Sequence, residues 1–237
     1  MKLKELESWL SQCEGFTNPK VALEQYATSA HIASRMLYSA QENIDGGIVC
    51  DLGSGCGILS VGSVMLGADL VYGFEVDDDA IDIALSNIGE ILNDDDDESP
   101  SIQLIQCQIG TDFSQGCPVD VLTNFENFFD VVVMNPPFGT KNNAGADFGF
   151  LRRAVHIVKP GGHIYSLHKT STRPFFEKKL KNSEAELDFP VKGEVLAGIR
   201  YDLPKCYKFH KEKSVDIEVD FWHFVKNSQS SPSTPLS

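Results

Sequence analysis

The four residues Asn135, Pro136, Pro137 and Phe138 directly follow an apolar segment, Phe129–Met134, and could together hold a planar amine. The side-chain oxygen of Asn135 and the carbonyl of Pro136, on one stiff turn, offer two hydrogen-bond acceptors that converge on a small site. The ring of Phe138 offers a stacking face for the same group. Because prolines also commonly end strands, the rest of the chain must decide whether this turn is a site.

A glycine-rich turn follows an earlier apolar segment, Ile48–Leu52. Asp51 is followed by Gly53, Gly55 and Gly57, and glycine permits positive φ and close approach of a ligand to the backbone. The spacing differs from the GxGxxG pattern that brings a pyrophosphate to a helix N-terminus. Asp51 would repel a phosphate but attract an ammonium group. The turn therefore favours a nucleoside that carries an amino acid, such as S-adenosylmethionine.

An acidic residue, Glu75, stands at the end of the next apolar segment, 70–74. In nucleotide-binding folds an acidic side chain at this place accepts hydrogen bonds from the ribose hydroxyls. Open α/β sheets bind ligands at the carboxyl ends of their strands, and Asp51, Glu75 and Asn135 all fall at such ends. Together the three positions favour one ligand site over three unrelated turns.

The apolar segment 102–107 is followed by Gln108 and Ile109. The side-chain oxygen of Gln108 could accept a hydrogen bond from the amine of an adenine, and Ile109 could cover the ring. A glutamine in a loop is usually just solvated, so the position at a strand end is what supports this assignment.

The elements that position these residues follow from the spacing of apolar side chains. Strands that alternate with helices predict a Rossmann-like, doubly wound α/β sheet that is mostly parallel, and the last two strands predict an antiparallel C-terminal hairpin. Residues 160–162, Pro-Gly-Gly, are expected to form the turn that starts the fifth strand. The seven expected strands are 48–52, 70–74, 102–107, 129–134, 164–167, 195–201 and 215–225, and the expected helices are 2–12, 20–42, a segment ending at 66, 78–92, 147–158 and 172–186.

The length of 237 residues suits one sizeable α/β domain, which we place at residues 1–226. Within it, residues 1–44 are expected to form a helical segment that covers the cofactor site. The Ser- and Pro-rich residues 227–237 are expected to be a disordered tail. The acidic run 94–98 is interpreted as a disordered surface insertion rather than a metal site, since consecutive aspartates cannot all face one ion without strain.

The net charge of −14 argues at first against a nucleic-acid partner, but the charges are unevenly distributed. The interval between Arg35 and Lys141 contains no Lys or Arg and 19 of the 34 acidic residues. From Lys141 to Lys213 there are 15 basic residues against 8 acidic ones, and this basic half could hold an RNA backbone. The candidate RNA-binding residues are Lys141, Lys169, Arg173, Tyr207, Lys208 and Lys211.

The six cysteines show no CxxC or His-paired spacing, which predicts reduced thiols and no metal site in the chain. No apolar stretch approaches the roughly 20 residues needed to cross a bilayer, and the N-terminus lacks the apolar region of a signal peptide. We therefore expect no membrane partner and a location in the nucleus (nucleolus) and the cytoplasm.

Residues 51–57 and 135–138 resemble the motifs of class I S-adenosylmethionine-dependent amino-methyltransferases. Longer segments between residues 2 and 225 resemble the methyltransferase-like-five family, which methylates the exocyclic 6-amino group of one adenosine in small-subunit (18S) ribosomal RNA. These segments are 3–7, 23–28, 135–143, 165–169, 200–204, 207–210 and 213–220. The resemblance implies the same fold, cofactor and activity for this chain.

The resemblance also implies cofactor contacts and a partner. The family usually has Asp at the position of Glu75 and Asp-Val at Gln108 and Ile109, so this chain keeps an acceptor at both places. Members of the family are stabilised by a small zinc-binding activator subunit, which implies a heterodimer. The implied S-adenosylmethionine contacts are Gln25, Thr28, Gly53, Cys56, Ile58, Glu75, Gln108 and Ile109, in addition to Asp51, Gly55 and Gly57.

The third strand suggests where an activator would bind. In a doubly wound methyltransferase sheet this strand lies at an edge, and residues 102–107 carry no charge or proline to protect that edge. We therefore expect the activator to add a strand there.

Two other functions remain open at this point. A protein glutamine methyltransferase would present a side-chain amide to the same two acceptors, and a catalytically silent RNA-binding scaffold would keep the fold alone. Phe138 in place of Tyr and the basic C-terminal half favour RNA over protein. The intact Asn135, Glu75 and glycines argue against a silent scaffold.

Overall fold

The computed structural model describes residues 1–92, 101–110, 121–139, 144–204 and 214–228, and its centre is a seven-stranded sheet. The strands are β1 (Ile48–Leu52), β2 (Leu70–Glu75), β3 (Ile102–Gln106), β4 (Phe129–Met134), β5 (Val158–Lys169), β6 (Val191–Pro204) and β7 (Ser214–Lys226). They lie in the order β3-β2-β1-β4-β5-β7-β6, and only the pairs that involve β7 are antiparallel. The predicted doubly wound sheet with its C-terminal hairpin is confirmed, as is the edge position of β3.

Helices cover both faces of the sheet. They are α1 (Leu3–Leu10), α2 (Ala30–Ser39), α3 (Gln41–Ile44), α4 (Ile58–Met65), α5 (Asp78–Leu92), α6 (Ala146–Ile157), α7 (Arg173–Leu180) and α8 (Ser183–Leu187), with 3-10 turns at Val21–Leu23, Val121–Phe125 and Thr170–Thr172. Helices α1 to α5 pack on one face and α6 to α8 on the other, which is why the central strands are apolar on both sides. No helix within the described ranges is long and apolar enough to cross a membrane.

The helix predicted at 20–42 is wrong in its first half. Residues Val21–Leu23 form one 3-10 turn that ends at Glu24 with a left-handed φ of 51°, and a regular helix begins only at Ala30. Ser29 caps that helix by accepting a hydrogen bond from the backbone of Ile32. The helix predicted at 172–186 is likewise divided, into α7 and α8.

Strand β5 begins at Val158, before the Pro-Gly-Gly residues that were expected to precede it. Its register with β4 shifts here, so 159–162 form an excursion within the strand. Gly161 has a φ of 84°, and a Cβ on Gly162 would lie 2.8 Å from the carbonyl oxygen of Asp130. The glycines that resemble a turn in the sequence therefore make a bulge.

Gly62 of α4 lies where the two N-terminal helices α1 and α2 pack on this helix. A Cβ at Gly62 would overlap the Cδ1 atom of Leu37 and lie 3.3 Å from Cδ1 of Leu10, and both leucines are buried. The absence of a side chain at Gly62 therefore allows this close packing.

We expect Gly62→Val to lower the free energy of unfolding by about 1–3 kcal/mol, because added methyl groups overpack a closed contact. Denaturant titration measures this change. Gly198→Val on β6 is the matched control, because a Cβ there meets no atom of the described residues within 4 Å, and it should be nearly neutral. Equal losses in the two variants would contradict the packing role of Gly62.

Candidate active site

A cavity of about 430 Å³ lies at the carboxyl ends of β1, β2 and β4. One wall is the glycine turn after β1, and another, here called the N-terminal wall, is formed by residues 10–30. The predicted site residues that line the cavity are Gln25, Thr28, Gly53, Gly55, Cys56, Ile58, Glu75, Gln108, Ile109, Asn135 and Pro137. Asp51, Gly57, Pro136 and Phe138 are described but do not line it.

The glycine turn brings its backbone close to two aromatic rings. Gly53 and Gly55 have positive φ values of 80° and 52°. A Cβ on Gly53 would lie 3.1 Å from Phe150, and one on Gly55 would lie 3.0 Å from Phe16. Both rings line the cavity, although no sequence motif had indicated them. Gly57 instead caps α4 and packs against α5.

Glu75 is held by three backbone donors at the end of β2. Its Oε2 accepts from the N–H of Gly55, and its Oε1 accepts from the N–H groups of Val76 and Asp77, each at 2.9 Å. The residue lines the cavity, and Oε2, which accepts from one backbone N–H, keeps capacity for a further donor. This arrangement suits a ribose hydroxyl.

Asp51, predicted to attract an ammonium group, is fully buried because its side chain turns toward α4 rather than into the cavity. Its Oδ2 accepts a hydrogen bond from Ser60 Oγ at 2.7 Å, and its Oδ1 has no hydrogen-bond partner within the part of the chain that is described. Burial raises the pKa of Asp51 to about 7, against the lowering effect of the Ser60 hydrogen bond.

The N-terminal wall is attached to the end of β2 through Asp77. Gln25 Nε2 donates to the carboxylate of Asp77, and Gln25 Oε1 accepts from the backbone N–H of Lys20 at 2.7 Å. The ammonium group of Lys20 pairs with the same carboxylate. Gln25 therefore lines the cavity with its amide engaged in holding this wall.

Asn87 of α5 is a residue that sequence motifs did not single out. Its Nδ2 donates to the carbonyls of Glu14 and Cys56, and its Oδ1 accepts from the N–H of Glu14 at 2.8 Å. One amide, 1% exposed, thus joins the N-terminal wall to the glycine turn. Asn87 is a polar residue on the otherwise apolar face of α5, and this position is the feature of the sequence that could have indicated its role.

Asn135 lines the cavity at the end of β4. Its Nδ2 donates to Thr28 Oγ1 at 2.9 Å and to the hydroxyl of Tyr201 at 3.2 Å. Its Oδ1 is buried and has no hydrogen-bond partner among the described residues. An unpaired buried acceptor costs stability, so this oxygen marks a place for an N–H donor.

Phe138, predicted to stack on a base, is only 9% exposed. Its ring packs edge to face on Tyr201, with centroids 6.3 Å apart. The apolar surface beside Asn135 comes from Pro137 instead. The structure draws Phe138 into the core because a large ring gains more from burial than from exposure.

Two of the predicted RNA contacts, Lys169 and Arg173, belong to the described part of the chain. Arg173 makes a two-pronged ion pair with the fully buried Asp220, with Nε 2.7 Å from Oδ2. Lys169 is the last residue of β5 and is partly exposed. Because β5 runs parallel to β4, Lys169 lies at the carboxyl ends of the strands, as Asn135 does. Lys141, Tyr207, Lys208 and Lys211 lie outside the described residues.

We expect the contribution of Asp51 to the stability of the ligand-free protein to fall as pH rises from about 4 to 7, because the folded state holds the proton of Asp51 more tightly than the unfolded chain does. Asp51→Asn should remove this loss, so its advantage over wild type should grow by up to about 1.4 kcal/mol per pH unit. Denaturation at pH 5 to 8 measures the difference. The exposed Asp69→Asn is the control, and parallel curves for wild type and Asp51→Asn would contradict the prediction.

Comparison with known proteins identifies the family. The pattern of the ribosomal protein L11 methyltransferase (PrmA) family matches residues 27–135. The chain is 48% identical to the rRNA N(6)-adenosine-methyltransferase METTL5 of Danio rerio, over 95% of this chain and 99% of that one, and 44% identical to Mettl5 of Drosophila melanogaster, over 94% and 96%. A crystal structure of a candidate RNA methyltransferase from Pyrococcus horikoshii aligns with a TM-score of 0.74 at 32% identity, covering 98% of this chain and 99% of that one. Because this similarity extends over nearly the whole length of both chains, the protein belongs to the METTL5 family of rRNA N(6)-adenosine-methyltransferases.

Proposed function

We propose that the protein transfers a methyl group from S-adenosylmethionine to the exocyclic 6-amino group of an adenosine in small-subunit (18S) ribosomal RNA. The observation that carries the proposal is the unpaired Oδ1 of Asn135 at a cavity that also contains Glu75 and the glycine turn. An acceptor in this place suits an amine as the group to be methylated. The names of the relatives, rRNA N(6)-adenosine-methyltransferases, support the same substrate.

The residues around the cavity fit S-adenosylmethionine. Glu75 Oε2 would accept a hydrogen bond from the ribose, and Gln108 with Ile109 would meet the adenine. Ser54 lines the cavity, and its Oγ is buried and has no partner among the described residues, so a polar group of the amino-acid part would satisfy an atom that is otherwise costly. When bound, the cofactor supplies an electrophilic methyl group on a sulfonium.

The turn at Asn135 would act on the amine of the base. An exocyclic amine is a poor nucleophile because its lone pair is delocalised into the ring. Asn135 Oδ1 would accept one of its N–H bonds, orient the nitrogen and favour its pyramidal form, whereas the Pro136 carbonyl, predicted as the second acceptor, does not line the cavity. This contact positions the amine rather than deprotonates it before the attack, and the methylated nitrogen, which is acidic while it carries the positive charge, then releases its extra proton to solvent, so the turn needs no strong base.

Methylation of a protein glutamine is the main alternative, and the match to the ribosomal protein L11 methyltransferase family supports a protein substrate without indicating which residue would be methylated. That match covers residues 27–135, which include the glycine turn, Glu75 and Asn135 but not residues 10–26 of the N-terminal wall. The match to the Danio rerio rRNA methyltransferase covers 95% of the chain and so includes the C-terminal hairpin. The hairpin supplies Tyr201, which is hydrogen-bonded to Asn135. The relative that matches this part of the chain as well is an rRNA methyltransferase, and this favours RNA over protein as the methyl acceptor.

We expect Asn135→Ala to reduce methyl transfer by at least about 100-fold, because it removes the acceptor that orients the amine. Cofactor affinity, measured by calorimetry, should be largely retained. Asn43→Ala is the control, since Asn43 donates to the hydroxyl of Tyr165 outside the cavity, and it should keep its activity. Full activity of Asn135→Ala would contradict the mechanism.

Transfer of a labelled methyl group to ribosomal RNA, compared with transfer to a release-factor-like peptide, separates the candidate functions. Labelling of RNA alone supports the proposal, and labelling of the peptide alone supports a protein glutamine methyltransferase. Cofactor binding without transfer to either substrate would indicate a silent scaffold.

We further propose that the protein forms a heterodimer with a small zinc-binding activator subunit, which adds a strand along β3. This strand lies at an edge of the sheet, and its apolar residues Ile102, Leu104 and Ile105 are only partly buried. The exposed residues of the strand, Gln103 and Gln106, are uncharged. An edge without charges can accept a strand from another chain.

Gln103→Lys should weaken co-purification with the activator by about tenfold or more, because a charge on the open edge opposes strand addition. Leu196→Lys places the same charge on the exposed surface of β6, at the opposite edge, and should leave the complex intact. If both variants retain the activator equally well, the proposed docking edge is wrong.

We also propose that the protein resides in the nucleus (nucleolus) and the cytoplasm. Cys13, Cys50 and Cys56 are free thiols, which agrees with a reducing compartment. Imaging of the tagged full chain would test this location.

A further inference from the structure

Tyr201 of β6 lies beside the active site, where its hydroxyl is hydrogen-bonded to Ala27 and to Asn135. The hydroxyl donates to the carbonyl of Ala27 at 3.1 Å, and its oxygen accepts from Asn135 Nδ2 at 3.2 Å. The residue is 2% exposed, and the ring of Phe138 packs edge to face against it. The position of the hydroxyl is therefore fixed by packing on one side and by the N-terminal wall on the other.

These hydrogen bonds determine which way the Asn135 amide faces. A phenol has one proton, and Tyr201 directs it at Ala27, so the phenol oxygen can only accept from Asn135. If the Asn135 amide were rotated by 180°, its Oδ1 would face the lone pair of the Tyr201 oxygen, and two acceptors would then repel each other. Thr28 Oγ1 accepts from the same Nδ2 at 2.9 Å. The amide nitrogen is thus held on the side of Tyr201, and Oδ1 remains for the methyl acceptor.

We infer that Tyr201 is a positioning residue that locks the Asn135 amide with Oδ1 toward the amine to be methylated. The inference rests on the proposed function of Asn135. Tyr201 acts through Asn135 and does not line the cavity itself. Because Ala27 and Thr28 belong to the N-terminal wall, the same bonds link the order of that wall to the orientation of the catalytic amide.

The test is Tyr201→Phe, which removes only the hydroxyl and keeps the ring against Phe138. We expect kcat to fall about tenfold, because a misoriented acceptor no longer aligns the amine. The KM values for S-adenosylmethionine and RNA should change by less than about twofold. Tyr165→Phe is the matched control, since it removes the hydroxyl of another buried tyrosine. That hydroxyl accepts a hydrogen bond from Asn43 Nδ2 at 2.7 Å, and neither residue lines the cavity. Its kcat should equal that of wild type.

A second measurement reports the amide directly. The side-chain N–H signals of Asn135, identified by their absence in Asn135→Ala, should exchange slowly with solvent in the wild type, because both protons are hydrogen-bonded. Tyr201→Phe should accelerate this exchange, and Tyr165→Phe should not.

The outcomes distinguish the inference from the function on which it rests. If Asn135→Ala remains fully active, the proposed function fails. If Asn135→Ala is inactive while Tyr201→Phe keeps its kcat, only the positioning role fails. A fall in kcat that is matched by Tyr165→Phe, or that comes with an equal loss of cofactor affinity, would show a merely structural role and would also overturn the inference.

Discussion

The parallel pairing of β1 with β2 and β4 is the constraint on which the site depends. The carboxyl ends of parallel strands lie on the same side of the sheet, so the glycine turn, Glu75 and Asn135 meet there although they are far apart in the chain. The sheet alone does not complete the cavity. The N-terminal wall and the C-terminal hairpin, which come from the two ends of the chain, both pack beside the carboxyl ends of these strands. A hydrogen bond from the Tyr201 hydroxyl of the hairpin to the Ala27 carbonyl joins the two.

The strand ends could be predicted from the sequence because each has a local signal. The glycines, Glu75 and Asn135 each follow an apolar run, and the fold class then brings them together. The direction of individual side chains could not be predicted in this way. Asp51 lies in β1 and Phe138 follows β4, as predicted, but both side chains face the interior because tertiary packing rather than spacing sets the direction of a single side chain.

The residues that sequence analysis missed have partners that lie far along the chain. Asn87 joins the N-terminal wall to the glycine turn, and Tyr201 bonds Ala27, from which it is separated by 174 positions. No local pattern marks a hydrogen bond of that range. The helix predicted at 20–42 is wrong over residues 20–29, of which 22–29 line the cavity instead. Apolar residues that line a cavity can repeat at the same interval as those on the buried face of a helix, so the sequence pattern does not distinguish the two.

The strand order also separates two surfaces of different character. The uncharged edge at β3 lies three strands from β4, or about 14 Å at ~4.8 Å per strand, whereas β5 and the hairpin lie on the other side of β4. A protein docked along β3 and a polyanion held near the end of β5 would not compete for the same surface. The order of strands in one sheet would thus permit a ternary complex, with the methyl-transfer site between its two macromolecular partners.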